Sequence, residues 1–348
     1  MKTIIFFLMA AFSSLLLNAQ NSDKVPFQVR SLSNETIKNV QIETSGGNIS
    51  VAGVSQTEAR IEVYVEQNNS REKVLSKEEI QNRLDEKYDL KIEVIDNKLL
   101  ATAKARKNTD RQDWRNALNI SFKVFVSKNV STELSTSGGN ISLKDVTGDQ
   151  NFKTSGGNLS IDNVGGKIRG KTSGGNLRVY NSKDDIELST SGGNINADGC
   201  SGNIVLSTSG GSLRLSNLSG NIKAGTSGGS VNGEKISGEL ITHTSGGSIL
   251  LKELSCSLET STSGGSIDVA IKELGKYIKI HNSGGSIDLE LPKNKGIDLD
   301  LSASRVKANE LNNFSGSKED DEIKGKLNNG GIPVNVRASS GTIHLTMK

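Results

Sequence analysis

The chain has 348 residues, enough for a sizeable core, and a formal net charge of +3 at pH 7. Acidic and basic residues are interspersed and no basic block occurs, which argues against a nucleic-acid-binding protein. Aromatic residues make up only 4% and glycine accounts for 38 residues, but apolar residues recur at fixed positions, which excludes a disordered chain.

The N-terminus has the three parts of a secretory signal peptide. Lys2 precedes an apolar run from Ile4 to Leu17, and small residues follow near Ala19. We therefore expect residues 1–19 to be cleaved and residues 20–348 to form the mature, exported domain. The apolar run is too short for a membrane span, no later stretch is suited to one, and no cysteine follows as a lipoprotein anchor. These features predict a location in the periplasm, on the cell surface or in the medium.

Residues 20–35 are predicted to be an irregular lead-in. The tetrapeptide Thr-Ser-Gly-Gly then occurs once, beginning at Thr44, and predicts a first structural unit over Ile37 to Ser50. The tetrapeptide is absent from there until Thr136, and the residues between the two copies indicate a folded insertion over 55–131.

The insertion contains signals for both strands and a helix. Ser76 and Glu79 have the spacing of a capping box, which predicts a helix from about Lys77 to Tyr88. Alternation of apolar and polar residues predicts four strands. They cover residues 61–65, 90–94, 99–105 and 120–126.

From Thr136 the tetrapeptide recurs every eighteen residues. It begins at Thr136, Thr154, Thr172, Thr190, Thr208, Thr226, Thr244 and Thr262, with a degenerate copy at Asn282. Apolar residues fall at positions six, eight, eleven and fifteen of each unit, as in Leu159, Ile161, Val164 and Ile168. This spacing of two predicts strands with one buried face, and units this short must stack to bury a core. A fixed repeat of this length is typical of solenoids.

We therefore predict an all-β fold, a single-stranded parallel β-helix or β-solenoid with 18-residue coils, plus a small α+β N-terminal cap or insertion. Regular repeats are expected over residues 136–291 and a C-terminal closing region over 292–348. The ends of a solenoid expose apolar core and unpaired strand edges. We interpret residues 55–131 as a cap over one end; the alternative is a binding module grafted onto the stack.

The repeated tetrapeptide is expected to form a corner of each coil. Its glycines can adopt the positive φ angles that corners use, with the Thr pointing inward and the Ser outward. The next residue is Asn in early coils and Ser in later ones, and stacked amides and hydroxyls can bond from coil to coil. The resulting ladder stabilises the turns or, alternatively, forms a surface that binds a ligand.

The spacing of the two cysteines provides a test of the predicted register between coils. Cys200 and Cys256 are separated by three coils plus two residues, or ~14 Å along the stack. A disulfide requires Cα atoms within about 7 Å. We predict two free thiols, with Cys200 buried in the column at position eleven.

The closing region is expected to contain a strand at Ile297 to Leu301 and a polar loop at Ser315 to Glu322. Closing strands are predicted from Val334 to Met347. Within them, the residues from Ala338 to Gly341 form a degenerate copy of the repeated tetrapeptide.

Units of the form Ser-Gly-Gly-Asn-Ile, at Ser137 to Ile141 and Ser191 to Ile195, connect the chain to a known group of proteins. So do the strand Ile120 to Val126 and the segment Val334 to Leu345. On these residues the mature chain resembles the bacterial putative-adhesin β-solenoid family and the related head-GIN putative auto-transporter adhesin domain. The resemblance implies a β-helical fold, a role in adhesion and no catalytic residues. The regular period and the helix in the insertion depart from the family pattern.

No catalytic arrangement is evident. His243, His281 and His344 fall in different coils, and no metalloprotease, P-loop or nucleophile-elbow motif occurs. We therefore expect neither an enzyme nor a cofactor site.

One group of carboxylates is a candidate metal site. Asp268 and Asp288 occupy position seven of successive coils and should stack ~5 Å apart, with Glu290 beside them. Asp298 and Asp300 are expected on the following strand. These groups could bind a divalent cation or, as a weaker alternative, act as a glycosidase pair. The simplest interpretation is a solvated acidic face.

The leading functional interpretation is an exported, non-catalytic β-solenoid with a structural or binding role, adhering to a glycan, an envelope component or a protein. One alternative is a polysaccharide-acting enzyme on a β-helix scaffold, which requires a cleft with convergent carboxylates. The other is a hydroxyl-ladder surface binder of the ice-binding type, which favours outward threonine columns. The oligomeric state stays open.

Overall fold

The computed structural model describes residues 25–68, 75–106 and 117–348. The predicted signal peptide, residues 1–19, lies outside the described residues. The N-terminal part contains β1 (Gln28–Ser31), β2 (Asn39–Thr44), β3 (Ile49–Val54), a 3-10 turn (Gln56–Glu58), β4 (Arg60–Gln67), α1 (Lys77–Lys87), β5 (Tyr88–Ile95), β6 (Lys98–Ala105) and β7 (Leu118–Ser127).

The repeats and the C-terminal part contain only strands among the described residues. The repeats contain β8 (Ser131–Thr136), β9 (Ile141–Lys144), β10 (Thr147–Lys153), β11 (Leu159–Asp162), β12 (Gly165–Lys171), β13 (Leu177–Tyr180), β14 (Lys183–Thr190), β15 (Ile195–Asp198), β16 (Ser201–Thr208), β17 (Leu213–Ser216), β18 (Ser219–Thr226), β19 (Val231–Glu234), β20 (Ser237–His243), β21 (Ile249–Thr262) and β22 (Ile267–Asn282). The rest are β23 (Ile287–Leu291), β24 (Ile297–Ser302), β25 (Arg305–Ala308), β26 (Phe314–Lys318), β27 (Glu322–Leu327), β28 (Ile332–Ala338) and β29 (Thr342–Met347).

The predicted β-solenoid is confirmed by the strand pairing. Each repeat strand lies parallel to its counterpart eighteen residues away, as in Leu159 with Leu177 and Ile168 with Ile186. One coil therefore contributes two strands, and the strands form two continuous parallel ladders. Four-residue strands such as β11 and β13 form the surface that we call the short-strand face. Strands of seven or eight residues, such as β12 and β14, form the long-strand face.

The core is the space between the two ladders. The apolar residues at positions six, eight, eleven and fifteen point into it, and Leu159, Ile161, Val164 and Ile168 are each at most 1% exposed. The same columns continue through the other coils. Removing this apolar surface from water is the main stabilising contribution to the stack.

The corner tetrapeptide is held by a threonine that points inward, as predicted. Thr172 is fully buried, while the following Ser173 is exposed. The expectation that the corner glycines adopt positive φ is wrong, since none of them lies in the left-handed region. A Cβ atom on Gly175 would lie 1.9 Å from the carbonyl oxygen of Gly157 in the preceding coil. The second glycine is required by this close approach between coils.

Left-handed backbone occurs instead at the opposite corner, at position ten of the seven coils that begin at Thr136 to Thr244. Asn163 has a φ of 53° there, and Asn and Asp adopt this conformation more readily than most residues. The same position is left-handed in other coils. It is occupied by Asp145, Asn181, Gly199, Asn217, Lys235 and Glu253.

The early copy of the motif forms the first coil, as predicted. Thr44 pairs with Thr136 and Ile49 with Ile141, so the two units are adjacent in space despite the intervening insertion. Strands β6 and β7 of the insertion pair in parallel with β2 and β3. They cover the exposed edges of the first coil, and α1 begins at Ser76 with the predicted capping box.

The predicted irregular lead-in is wrong for residues 28–31. They form β1, which pairs antiparallel with β4, which in turn pairs antiparallel with β7. On the other ladder β5 pairs antiparallel with β6. Backbone pairing with the neighbouring strand holds β1 in place although its side chains are mostly exposed.

At the C-terminal end the order of strands in space differs from their order in sequence. Strands β28 and β29 pair with β22 and β23, and β24 and β25 lie beyond them as the outermost coil. The predicted polar loop is wrong for residues 315–318, which form β26 in an antiparallel hairpin with β27. Antiparallel strands thus end both ladders at the N-terminal side of the stack and the long-strand ladder at the C-terminal side. The short-strand ladder continues in parallel to β25.

Both cysteines are free and buried, as predicted. Each is 1% exposed, with Cys200 in the column at position eleven. Burial raises the pKa of both thiols, that of Cys256 to about 12.

Candidate ligand-binding face

The short-strand face carries an ordered column of outward side chains at position seven of each coil. In-register parallel pairing places Arg178 next to Asn196, Asn196 next to Arg214, and Arg214 next to Asn232. Adjacent strands in a sheet lie ~4.8 Å apart, so the two arginine backbones are about 10 Å apart. The column therefore alternates cationic and amide side chains at the coil spacing.

These side chains line a shallow depression of about 360 Å³. Its floor is Leu213, which is fully buried, and its rim is polar. The remaining lining residues are Asn176, Arg178, Asn194, Asn196, Ser212, Arg214 and Asn232. The depression thus presents many hydrogen-bond donors over a rigid base.

The rim is fixed by the predicted ladder of amides at position five. The backbone N–H of Asn194 donates to Oδ1 of Asn176 at 2.8 Å, and that of Ser212 donates to Oδ1 of Asn194 at 2.8 Å. Each of these asparagine side-chain oxygens therefore accepts a hydrogen bond from the following coil. No described residue accepts a hydrogen bond from the Nδ2 groups of Asn176 or Asn194, so these donors face solvent.

Within the described part of the stack, the two arginines have no charged partner, a property that they share with lysines such as Lys167 and Lys223. Both are exposed, and no described residue forms an ion pair or hydrogen bond with either guanidinium. On the long-strand face, in contrast, one arginine and one lysine are each matched by a carboxylate of a neighbouring coil. Arg169 lies 3.5 Å from Glu187, and Lys279 lies 3.8 Å from Glu259. Arg178 and Arg214 are thus available for an external anion.

The predicted carboxylates lie further along the same column. Asp268 pairs in register with Asp288, as expected, and Glu290 lies on the same strand as Asp288. Burial raises the pKa of Asp268, with Asp288 and Glu290 adding to the effect and Lys252 opposing it.

Two basic residues, His344 of β29 and Lys348, meet this acidic group. His344 Nδ1 lies 2.9 Å from Asp288 Oδ1, and Lys348 Nζ lies 2.5 Å from Glu290 Oε2. Among residues 25–68, 75–106 and 117–348, no group of three His, Cys, Asp or Glu has a geometry suited to a metal ion. The cation site at Asp268, Asp288 and Glu290 stays a hypothesis.

The other acidic residues and histidines are dispersed. Asp298 and Asp300 lie on β24, the strand that follows β23, as expected. Because β24 pairs with β28, these two carboxylates lie on the long-strand ladder and not on the ladder of Asp288. His243 and His281 share one column two coils apart on the long-strand face, as predicted. His344 lies on the other ladder.

Sequence reasoning missed the arginine pair. The signal was present, since position seven holds arginine in two coils and asparagine in the coils between and after them. Within the described part of the chain, no helix has the length and apolar character to cross a bilayer.

Comparison with known proteins identifies the architecture. Residues 115–346 match the model of a family described as Toastrack DUF4097. No curated protein matches the chain significantly. This family match agrees with the resemblance drawn from the Ser-Gly-Gly-Asn-Ile units.

Two solved structures are similar at low identity. One is a putative cell adhesion protein from Clostridium sporogenes, 13% identical, covering 92% of this chain and 98% of its own, with a TM-score of 0.19. The other is a putative adhesin from Bacteroides fragilis, 11% identical, covering 92% of this chain and 95% of its own, with a TM-score of 0.23.

Proposed function

The chain belongs to the Toastrack DUF4097 family, and from this membership we propose that it is an exported, non-catalytic binding protein. In this proposal the short-strand face binds a glycan or another cell-envelope component. Export rests on the signal-peptide pattern of residues 1–19, which favours a periplasmic, surface or secreted location.

The observation that carries the proposal is the pair of unpaired guanidinium groups, Arg178 and Arg214, above the 360 Å³ depression. Exposed charges without a partner on a rigid sheet contribute little to the stability of the fold. Donors held in fixed positions reduce the entropy lost when a ligand binds. The flatness and length of the face suit an extended polymer better than a compact small molecule, which would need a deeper pocket.

The non-catalytic part of the proposal rests on the side chains around this depression. Its lining consists of arginine, asparagine, serine and leucine and contains no carboxylate, histidine or cysteine. Hydrolysis of a polysaccharide by a carboxylate pair would require two acidic groups facing one bond. The carboxylates of Asp288 and Glu290, further along the column, are in contact with His344 and Lys348.

A retention experiment with the mature protein tests the proposal. Residues 20–348 are immobilised and exposed to a glycan array and to solubilised envelope fractions, and the same is done with an Asn176→Ala/Asn194→Ala/Asn196→Ala variant of the face. We expect specific retention of one glycan or envelope class by the unmodified protein and weaker retention by the variant. An Asn196→Ala/Asn232→Ala variant, which keeps the Asn176 and Asn194 bonds between coils, should show the same loss. Release of shortened oligosaccharides from a retained glycan, or no retention from any source, would contradict the proposal.

A further inference from the structure

The position-seven column of the short-strand face has a chemical periodicity that points to a ligand class. Its successive members are Ser142, Ser160, Arg178, Asn196, Arg214, Asn232, Leu250, Asp268 and Asp288. Over these coils the column runs from hydroxyls, through four coils in which arginine and asparagine alternate, to carboxylates. Before Ser142 the register continues to Ser50 and Lys123, and after Asp288 it continues to His344 and Lys307. A cationic segment is thus followed by an apolar residue and an anionic segment.

We propose that the ligand is a linear acidic polysaccharide in which charged and uncharged sugars alternate, lying along the coil axis over Arg178 to Asn232. This inference rests on the function proposed above and names its ligand class. The guanidinium groups bind the carboxylate or sulfate groups of the charged sugars. The amides of Asn196 and Asn232 bind the hydroxyl and amide groups of the uncharged sugars.

The spacing supports this arrangement. Successive coils are ~4.8 Å apart, which is similar to the advance of one pyranose unit in an extended polysaccharide. The arginines are two coils apart, so they match acidic groups on every second sugar. Arginine presents several N–H donors in a planar fork that fits a carboxylate or sulfate with two parallel hydrogen bonds.

The surroundings of the column limit the ligand to this segment. Asp268 and Asp288 would repel a polyanion that continued past Leu250 towards the C-terminal end. In the other direction Ser160 and Ser142 offer hydroxyls without repulsion, so the polymer extends towards the N-terminal coils.

The same surroundings favour a polysaccharide over a nucleic acid. The lining of the depression contains two cationic residues and no aromatic side chain on which a base could stack. Single-stranded nucleic-acid sites combine a basic groove with stacking platforms. Amides and hydroxyls are the groups expected opposite sugar hydroxyls.

Titration of residues 20–348 with defined polymers tests the inference. The probes are hyaluronan, in which a uronic acid alternates with an N-acetylated hexosamine, polygalacturonate, uncharged dextran and single-stranded DNA. We expect the tightest binding to hyaluronan, weakening as salt is raised. Each of the substitutions Arg178→Gln and Arg214→Gln should weaken binding by about tenfold, because each removes a charge-assisted contact.

A matched control variant distinguishes specific binding by the two arginines from a general effect of the net charge of the protein. The Lys167→Gln/Lys223→Gln variant removes the same charge from outward positions of the long-strand face. It should bind hyaluronan like the unmodified protein. Equal losses in this control and in the Arg178→Gln/Arg214→Gln double variant, or tighter binding to DNA or polygalacturonate, would overturn the inference.

The outcomes also distinguish this inference from the function on which it rests. Retention of an uncharged glycan on the short-strand face, without binding to any acidic polymer, would overturn the polyanion inference and leave the binding role supported. Absence of binding to every glycan and envelope fraction would overturn both.

Discussion

Oγ1 of Thr172 donates a 2.8 Å hydrogen bond to the carbonyl oxygen of Gly157 in the preceding coil. The same oxygen accepts a 3.2 Å hydrogen bond from the N–H of Gly175 in its own coil. One buried hydroxyl therefore joins two coils at the corner, and the other threonines of the repeat make the equivalent bond to the coil before them. The repeated tetrapeptide is thus explained by a contact between neighbouring units.

Replacing this hydroxyl by a methyl group should destabilise the stack. Thr172→Val preserves the side-chain volume but leaves the Gly157 carbonyl and the Gly175 N–H without their buried partner. We expect a loss of about 1–3 kcal/mol in the free energy of unfolding, measured by urea denaturation. The exposed neighbour supplies the control, since Ser173→Ala should change stability by less than about 0.5 kcal/mol. Equal effects of the two substitutions would argue against the corner bond.

The two glycines of one corner should differ sharply in their tolerance of a methyl group. A Cβ on Gly175 would lie 1.9 Å from a backbone oxygen, whereas the nearest atom to a Cβ on Gly174 is 3.8 Å away. We expect Gly175→Ala to cost about 3 kcal/mol or more, or to prevent folding, because backbone cannot move aside as a side chain can. The Gly174→Ala variant should have a melting temperature close to that of the unmodified protein. A similar loss for both would mean that the coils are not in this register.

The two thiols should be unreactive in the folded protein. Burial raises the pKa of Cys256 to about 12 and also raises that of Cys200, so the reactive thiolate is scarce at pH 8. We expect no modification by a thiol reagent under native conditions and modification of two cysteines per chain in denaturant. Rapid labelling of either cysteine in the folded state would show that its thiol is open to solvent.

Calcium should leave the melting temperature unchanged. Asp288 and Glu290 already face His344 and Lys348, and these two side chains would compete with a metal ion for the carboxylate oxygens. Millimolar calcium is added during thermal unfolding, with magnesium as the comparison. A calcium-specific rise in melting temperature that is lost in Asp268→Asn would instead establish the carboxylates as a cation site.

The fold was predictable because each coil repeats the same inward and outward alternation. The Thr column, the burial of Cys200 and the first coil at Thr44 followed from spacing alone. The reason that this corner needs glycine did not follow from spacing. At Gly175 a side chain is excluded by the close approach of the adjacent coil and not by the φ angle of the residue itself.

The ends of the stack and the candidate site were less predictable. Strands β1 and β26 carry mostly exposed side chains and are held by backbone pairing, so they lack an apolar pattern. The outer position of β24 could not be inferred from chain order, because β28 inserts between it and β22. Arg178 and Arg214 became a site only once the register placed them in one column beside a depression.

The central claim is that a ligand lies on the short-strand face and not on the insertion at 55–131. Hydroxyl-radical footprinting of residues 20–348, with and without the retained glycan or envelope component, tests this claim most directly. The account predicts protection of the exposed side chains of Arg178 and Arg214, with residues 55–131 unchanged. Protection confined to residues 55–131, with the arginine column fully reactive, would contradict it and identify the insertion as the binding module.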